Sequence, residues 1–270
     1  MSAAAAVRFT PTEEELQAMT RTVPGLTLPS FAVGSPARAD EATAVSAGPH
    51  DPRLLLALGL QSLADGIVQT VSWSPGEVVR SSIAVTGVVA ASVSRRDTAS
   101  VSTREAGSSL EVALFPTARI AAELEAVVPA VDHGDAWCTG SRDVGVIASR
   151  AIVEAARHGD PLLVEEVAAD LWVDADAAGM LQGLRARQSR GVRVRCFDGR
   201  SGRCMAGDDW FGSEHGWRRL RLGLPPSDSL GTTPQRLLDE ATLSIAEATD
   251  EEIRRALTWL TATLLQAIAR

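Results

Sequence analysis

Lysine, asparagine and tyrosine are missing from this 270-residue chain, and cysteine occurs only three times. Because the codons of the three missing residues are AT-rich, their absence points to a very GC-rich genome, and an actinobacterial source is expected. Every one of the 26 basic residues is therefore arginine. Three cysteines, Cys138, Cys196 and Cys204, are an odd number in a chain large enough to fold without staples, so free thiols are expected rather than a disulfide framework. No apolar run reaches membrane-spanning length, and Met1 to Val7 has neither the basic leader nor the apolar stretch of a secretory signal. The expected compartment is the cytoplasm. No catalytic triad, phosphate loop or metal cage is recognisable, which points first to a binding scaffold.

Apolar residues make up 45% of the chain, enough for a substantial core in one large or two small domains. With 34 acids the formal charge is −8, which argues against coating nucleic acid and against anionic membrane surfaces.

An Asp-Pro-Leu-Leu pattern recurs in relaxed form. Asp51-Pro52-Arg53-Leu54-Leu55 opens a front half that closes at Phe115-Pro116-Thr117. Asp160-Pro161-Leu162-Leu163 opens a rear portion that closes at Pro234-Gln235-Arg236-Leu237. Proline at the first helical position lacks only an N–H that would be unpaired anyway, and an aspartate before it accepts from the free first-turn amides. The shared order of helix, strands and helix predicts two related halves, residues 1–130 and 131–270, in one compact domain.

Val7 to Phe9 reads as a short strand, and Thr12 with Glu15 has capping-box spacing for a helix toward Arg21. Residues 25–49 read as a surface loop. A buried helix is expected from Asp51 to about Thr70, including Ile67 and Val68. Strands are expected over Val78–Val85, Val88–Ser94, Ala99–Arg104 and Leu110–Phe115, with turns at Thr86-Gly87, Arg96-Asp97 and Ala106-Gly107, as an antiparallel meander. A helix carrying Ile120 and Leu124 follows Pro116. Further helices are expected over Val144–Arg157, Leu163–Trp172 and Ala177–Arg187. Thr249 and Glu252 cap a final helix whose stripe of Ile253, Leu257, Leu260, Leu264 and Ile268 lies between layers or against another chain.

Val192 and Val194 alternate with Arg193 and Arg195, and Leu220 and Leu222 alternate with Arg219 and Arg221. Between Arg185 and Arg221 ten arginines face four acids, Asp198, Asp208, Asp209 and Glu214. Arginine forks pair bidentately with carboxylates, so this face suits an acidic partner surface; a solvated face neutralised by nearby acids is the plainer reading. With no aromatic stacking platform of Tyr or Phe interleaved with these arginines, nucleic acid is not the expected partner. Cys196 and Cys204 flank a hairpin-prone segment, but zinc would need two more ligands, with Cys138, His133 or His215 at no motif spacing. Asp208, Asp209, Glu214 and His215 surround Trp210 and Phe211, and with three neighbouring glycines they read as an exposed loop before an active site.

The Val7-Arg8-Phe9-Thr10 opening, the later Leu28-Pro29, the Leu114-Phe115-Pro116 step and the strands between Val192 and Leu222 together resemble the EspG family, chaperones of type VII (ESX) secretion. The resemblance covers most of the chain and rests on element order. It implies an α+β fold with a central antiparallel sheet flanked by helices and two pseudo-symmetric halves. It also implies a chaperone without cofactor or enzymatic activity, covering the apolar tip of a helical PE, PPE or WxG-type client. Arg193, Arg195, Arg219 and Arg221 on the sheet and Leu257, Leu260 and Leu264 on the last helix are the expected contact residues, in a monomer or homodimer. A homodimeric scaffold closed by that helix is the alternative, and an enzyme using Asp208, Asp209 and His215 a more distant one.

Overall fold

A computed structural model describes residues 5–32, 51–99, 106–131, 140–183, 190–213, 216–223 and 233–269. They form an α+β fold with ten strands and eight helices among them. The strands lie in one antiparallel sheet, in the order β1-β5-β4-β3-β2-β7-β8-β9-β10-β6. In chain order the elements are β1 (Val7–Phe9), α1 (Glu13–Thr22), α2 (Pro52–Leu63), β2 (Gly66–Ser74), β3 (Glu77–Thr86), β4 (Val89–Ala99), β5 (Ala106–Pro116) and α3 (Ile120–Glu125). There follow β6 (Ser141–Gly145), α4 (Val146–Arg157), α5 (Pro161–Asp170), α6 (Ala175–Gly183), β7 (Arg190–Asp198), β8 (Cys204–Ser213), β9 (Gly216–Gly223), α7 (Pro234–Glu240), β10 (Thr242–Ala248) and α8 (Asp250–Ile268). No helix among the described residues is long and apolar enough to cross a membrane.

Two compact units emerge. One comprises Met1–Val128 with Arg193–Gly207 and Arg254–Arg270; the other comprises Pro129–Val192 with Asp208–Ile253. The expected boundary near residue 130 lies close to the end of the first continuous stretch, but two segments of the rear half belong to the first unit.

In the first unit, local chemistry starts the helices where the side chains dictate. Thr12 Oγ1 accepts from Glu15 N at 3.1 Å while Glu15 Oε2 accepts from Thr12 N at 2.8 Å, closing the capping box of α1. Asp51 Oδ1 accepts from Arg53 N at 2.8 Å, with Pro52 opening α2. Leu16 and Met19 of α1 and Leu54 and Leu58 of α2 pack over Ala91, Val93, Leu110 and Val112 on one face of β4 and β5. The other face is where α8 lies. A Cβ on Gly66 would come within 2.6 Å of Leu264 Cδ1, so the absence of a side chain there lets the helix approach β2.

The expected helix to Thr70 stops at Leu63, and Ile67 and Val68 begin β2 instead. Over Ile67–Val71 the buried Val68 and Thr70 alternate with half-buried Ile67 and Val71 and exposed Gln69, a period-two pattern that a run of apolar residues concealed. The expected turn at Arg96-Asp97 is also displaced: β4 passes straight through it to Ala99, and the remainder of the expected Ala99–Arg104 strand lies outside the described residues. The turn at Thr86-Gly87 is present one residue on, Gly87 taking φ 57 between β3 and β4.

In the second unit, Asp160 Oδ1 accepts from Leu162 N at 3.0 Å and Pro161 opens α5, the counterpart of the Asp51-Pro52 start. Ile152 of α4, Val164 and Ala168 of α5 and Met180 and Leu181 of α6 pack on Val144 and Ile245, with Leu220 and Leu243 against them. Val144, expected to begin the helix, sits in β6, which pairs antiparallel with β10 (Val144↔Leu243). Thr249 accepts from Glu252 N at 3.2 Å and Glu252 accepts from Thr249 N at 2.8 Å, so α8 begins as its capping box requires.

Candidate functional site

The register of β8 against β9 builds the charged cluster from the strands up. Trp210 pairs with Arg219 and Gly212 with Trp217, so side chains alternating along the two strands place Asp208, Trp210, Trp217, Arg219 and Arg221 on one face. Arg219 donates through Nε to Asp208 Oδ1 at 2.9 Å and through its second guanidinium nitrogen to Asp208 Oδ2, a two-pronged grip. Arg221 Nε adds a bond to Oδ1 at 3.2 Å. The Arg219 guanidinium also lies 5.8 Å from the centre of the Trp210 ring.

Asp208 is only 3% exposed and Trp210 only 1%. The expected exposed loop around them is therefore a strand, and the reason is visible in the partners. A carboxylate held by two guanidiniums can be buried, whereas the sequence showed only charge beside glycine. On the opposite face Arg218, 5% exposed, donates to Trp217 O at 3.0 Å and stands 3.5 Å from Glu247. Trp217 Nε1 donates to Asp250 Oδ1 at 2.9 Å, tying the first turn of α8 to β9.

The other predicted residues fare differently. Arg193 and Arg195 lie on β7 in the first unit, where the expected alternation holds. Val192, Val194 and Cys196 are fully buried, Arg193 is exposed and Arg195, half-buried, donates to Val194 O at 2.9 Å. Arg219 and Arg221 meet on one carboxylate in the second unit, with Arg221 still 59% exposed at its side chain.

Leu257, Leu260 and Leu264 are fully buried within this chain. They present no surface to a partner, because the stripe that looked available is the face α8 turns to its own sheet. The exposed side of that helix carries Trp259 instead, 57% exposed.

Cys196 is buried and Cys204 exposed, and both are free. Burial first, with Cys204 nearby, pushes the Cys196 thiol up to about 12, and its sulfur lies 3.9 Å from Leu260 O. The segment between them turns on Asp198, whose Oδ1 accepts from Ser201 N at 2.7 Å and Arg200 N at 2.9 Å. These bonds, those to Ser201 foremost, hold its carboxyl below the ordinary range. His50, His133, Cys138, Glu214 and His215 lie outside the described residues. Among the described residues no group of three or more His, Cys, Asp or Glu side chains is placed to hold a metal ion.

The first unit also has a cleft of about 490 Å³ whose walls include Ser81, Ser92, Ser94, Ser108 and Ser109. Its charges satisfy one another. Arg8 bonds Glu111 and, at 2.7 Å, Glu123 Oε2; Arg96 bonds Glu77. Burial alone would lower the Arg8 pKa, but these two carboxylates outweigh it and raise it. Among the described lining residues no histidine stands beside the serines.

Sequence reasoning missed one prominent surface residue. Trp172, between α5 and α6, is 95% exposed and takes φ 56. A large apolar side chain after the end of an acidic helix was its only signal. No family model matches the chain, and no curated protein matches it.

Proposed function

We propose that this chain is a cytoplasmic chaperone-like protein of the EspG type, which holds a helical type VII secretion client and covers its apolar tip before export. The observation that carries the reading is a recurrence of connectivity. β1 leads through helices into a four-strand run whose last strand, β5, returns antiparallel beside β1; β6 leads through helices into β7 to β10, and β10 returns antiparallel beside β6. A recurrent connectivity of this kind supplies long sheet faces, and the charged groups lining the described cleft of the first unit pair with one another, which suits a holder more than a catalyst. The Asp208 carboxylate, the best placed acid for an enzyme, has both oxygens engaged by Arg219 and Arg221.

The contact residues best supported are those that reach solvent, each unit taken by itself: Arg193 on β7 and Trp259 on α8 in the first, and Arg221 with its neighbour Leu222 at the end of β9 in the second. Arginine at a rim selects an acidic partner, and exposed Trp and Leu supply the apolar contact that a client tip needs. The homodimer alternative loses its apolar stripe to the interior. Co-expression with small helical protein pairs encoded beside its gene should give a one-to-one complex by size exclusion with light scattering. Arg193→Glu combined with Trp259→Ala, both in the first unit, should weaken that complex at least tenfold with an unchanged melting curve. Failure to form a complex with any such pair rejects the reading, and a dimer at all concentrations replaces it.

A further inference from the structure

We propose that the turn between α5 and α6 is a docking surface for a cationic amphipathic segment of another protein, with Trp172 as its aromatic anchor. The backbone shows why this residue is out of place as a folding element. At the end of α5 the Val173 N–H donates to Ala168 O at 2.9 Å and the Trp172 N–H donates to Ala169 O at 3.2 Å. That bond pair places Trp172 in the left-handed position that helix ends reserve for glycine, since a Cβ is disfavoured there. Gly159 occupies such a position after α4, with φ 74, whereas Trp172 is the one non-glycine residue with positive φ among the described residues. The indole gains nothing in return, because it is 95% exposed. Leu162 on the same helix is 72% exposed and Leu171 beside it 39%. A strained backbone that holds a large apolar group in water is explained by a partner that covers it.

The charge around the indole states what the partner must bring. From Gly159 to Gly183 the sequence has six acids, Asp160, Glu165, Glu166, Asp170, Asp174 and Asp176, and no arginine. Asp174 and Asp176 share Arg142 at 3.8 and 3.4 Å, and Asp174 also caps α6 through Ala177 N. Glu165, Glu166 and Asp170 are exposed and have no ion pair among the described residues. An occupant with Arg or Lys over the indole face and a Leu-type residue against Leu171 meets both demands. Anionic lipid and nucleic acid are repelled by the same field. The inference does not rest on the client reading, whose arginines call for a partner of opposite charge.

The test uses the full chain and a fluorescent helical peptide of about 18 residues with a leucine face and an arginine face, followed by anisotropy. The peptide should bind, more weakly as salt rises, and a version with Glu for Arg should not. Trp172→Gly should weaken binding by about tenfold or more, while its melting temperature stays at or above that of the parent. Glu165→Gln with Glu166→Gln and Asp170→Asn should weaken binding and flatten its salt dependence. No binding of the arginine peptide, equal binding by Trp172→Gly, or a lowered melting temperature in that variant overturns the proposal.

Discussion

Helix α8 and helix α5 carry comparable apolar content and opposite fates. In α8, Leu257, Leu260 and Leu264 lie three and four residues apart and are fully buried, leaving Trp259 as the exposed exception. In α5 only Val164 and Ala168 are buried, and Leu162, Leu171 and Trp172 along or after it face solvent. Both helices begin with a well-formed cap, so the difference does not arise at their starts. It arises from what each packs on. The first is drawn close by the bare Gly66 on β2, whereas the second reaches its core through buried Val164 and Ala168 and partly buried Leu163 and Val167. Apolar composition thus says that a helix has something to bury and not which side will be buried.

The contrast is sharpest in truncation. Leu260→Ala removes a fully buried side chain and should cost about 2–5 kcal/mol in urea unfolding, read as a shift in midpoint at constant slope. The same change at Leu162 should stay within about 0.5 kcal/mol. Equal losses at the two positions would mean that Leu162 is covered in solution and would erase the comparison.

Charge offers a second version of the contrast, inside the second unit. Asp208 is buried between guanidiniums, while Glu165, Glu166 and Asp170 stand in water. Asp208→Asn should cost about 2 kcal/mol, because Arg219, three-quarters buried, keeps its charge but loses its two-pronged acceptor. Glu166→Gln should be near neutral in the same thermal melt. A smaller change still is expected at the caps. Thr249→Ala and Asp160→Ala should each cost about 1 kcal/mol, and similar values for the two would place the divergence between the helices in tertiary packing. A cap loss in α8 several times that in α5 would show that the Thr249 turn also fixes the Trp217–Asp250 bond.

The caps were legible because their chemistry is local. Thr12 with Glu15, Asp51, Asp160 and Thr249 with Glu252 each satisfy amides within three residues, so the residue pattern contains the whole interaction. The arginine alternation on β7 was equally readable, since a strand shows its period in four residues. β2, β6, β8 and β10 were not read as strands. Ile67 and Val68 continued a helical apolar run, β6 is five residues at a sheet edge, and β8 buries an aspartate whose ligands lie eleven and thirteen residues further on. The α8 leucines expected at a contact surface were misplaced for the same reason that Trp172 was overlooked: exposure is a property of neighbours.

By itself the sequence determined the capped helix starts, the α+β class, the arginine-only cation set and the alternation that brings guanidiniums to one strand face. The tertiary structure decided which stripe of α8 faces its own sheet, which aspartate is buried between arginines, and which tryptophan is left in water. The division follows range. Caps and periods are settled by atoms a few residues apart, while burial and ion pairing depend on strands and helices brought together from distant parts of the chain, where the packing of one surface on another outweighs local preference.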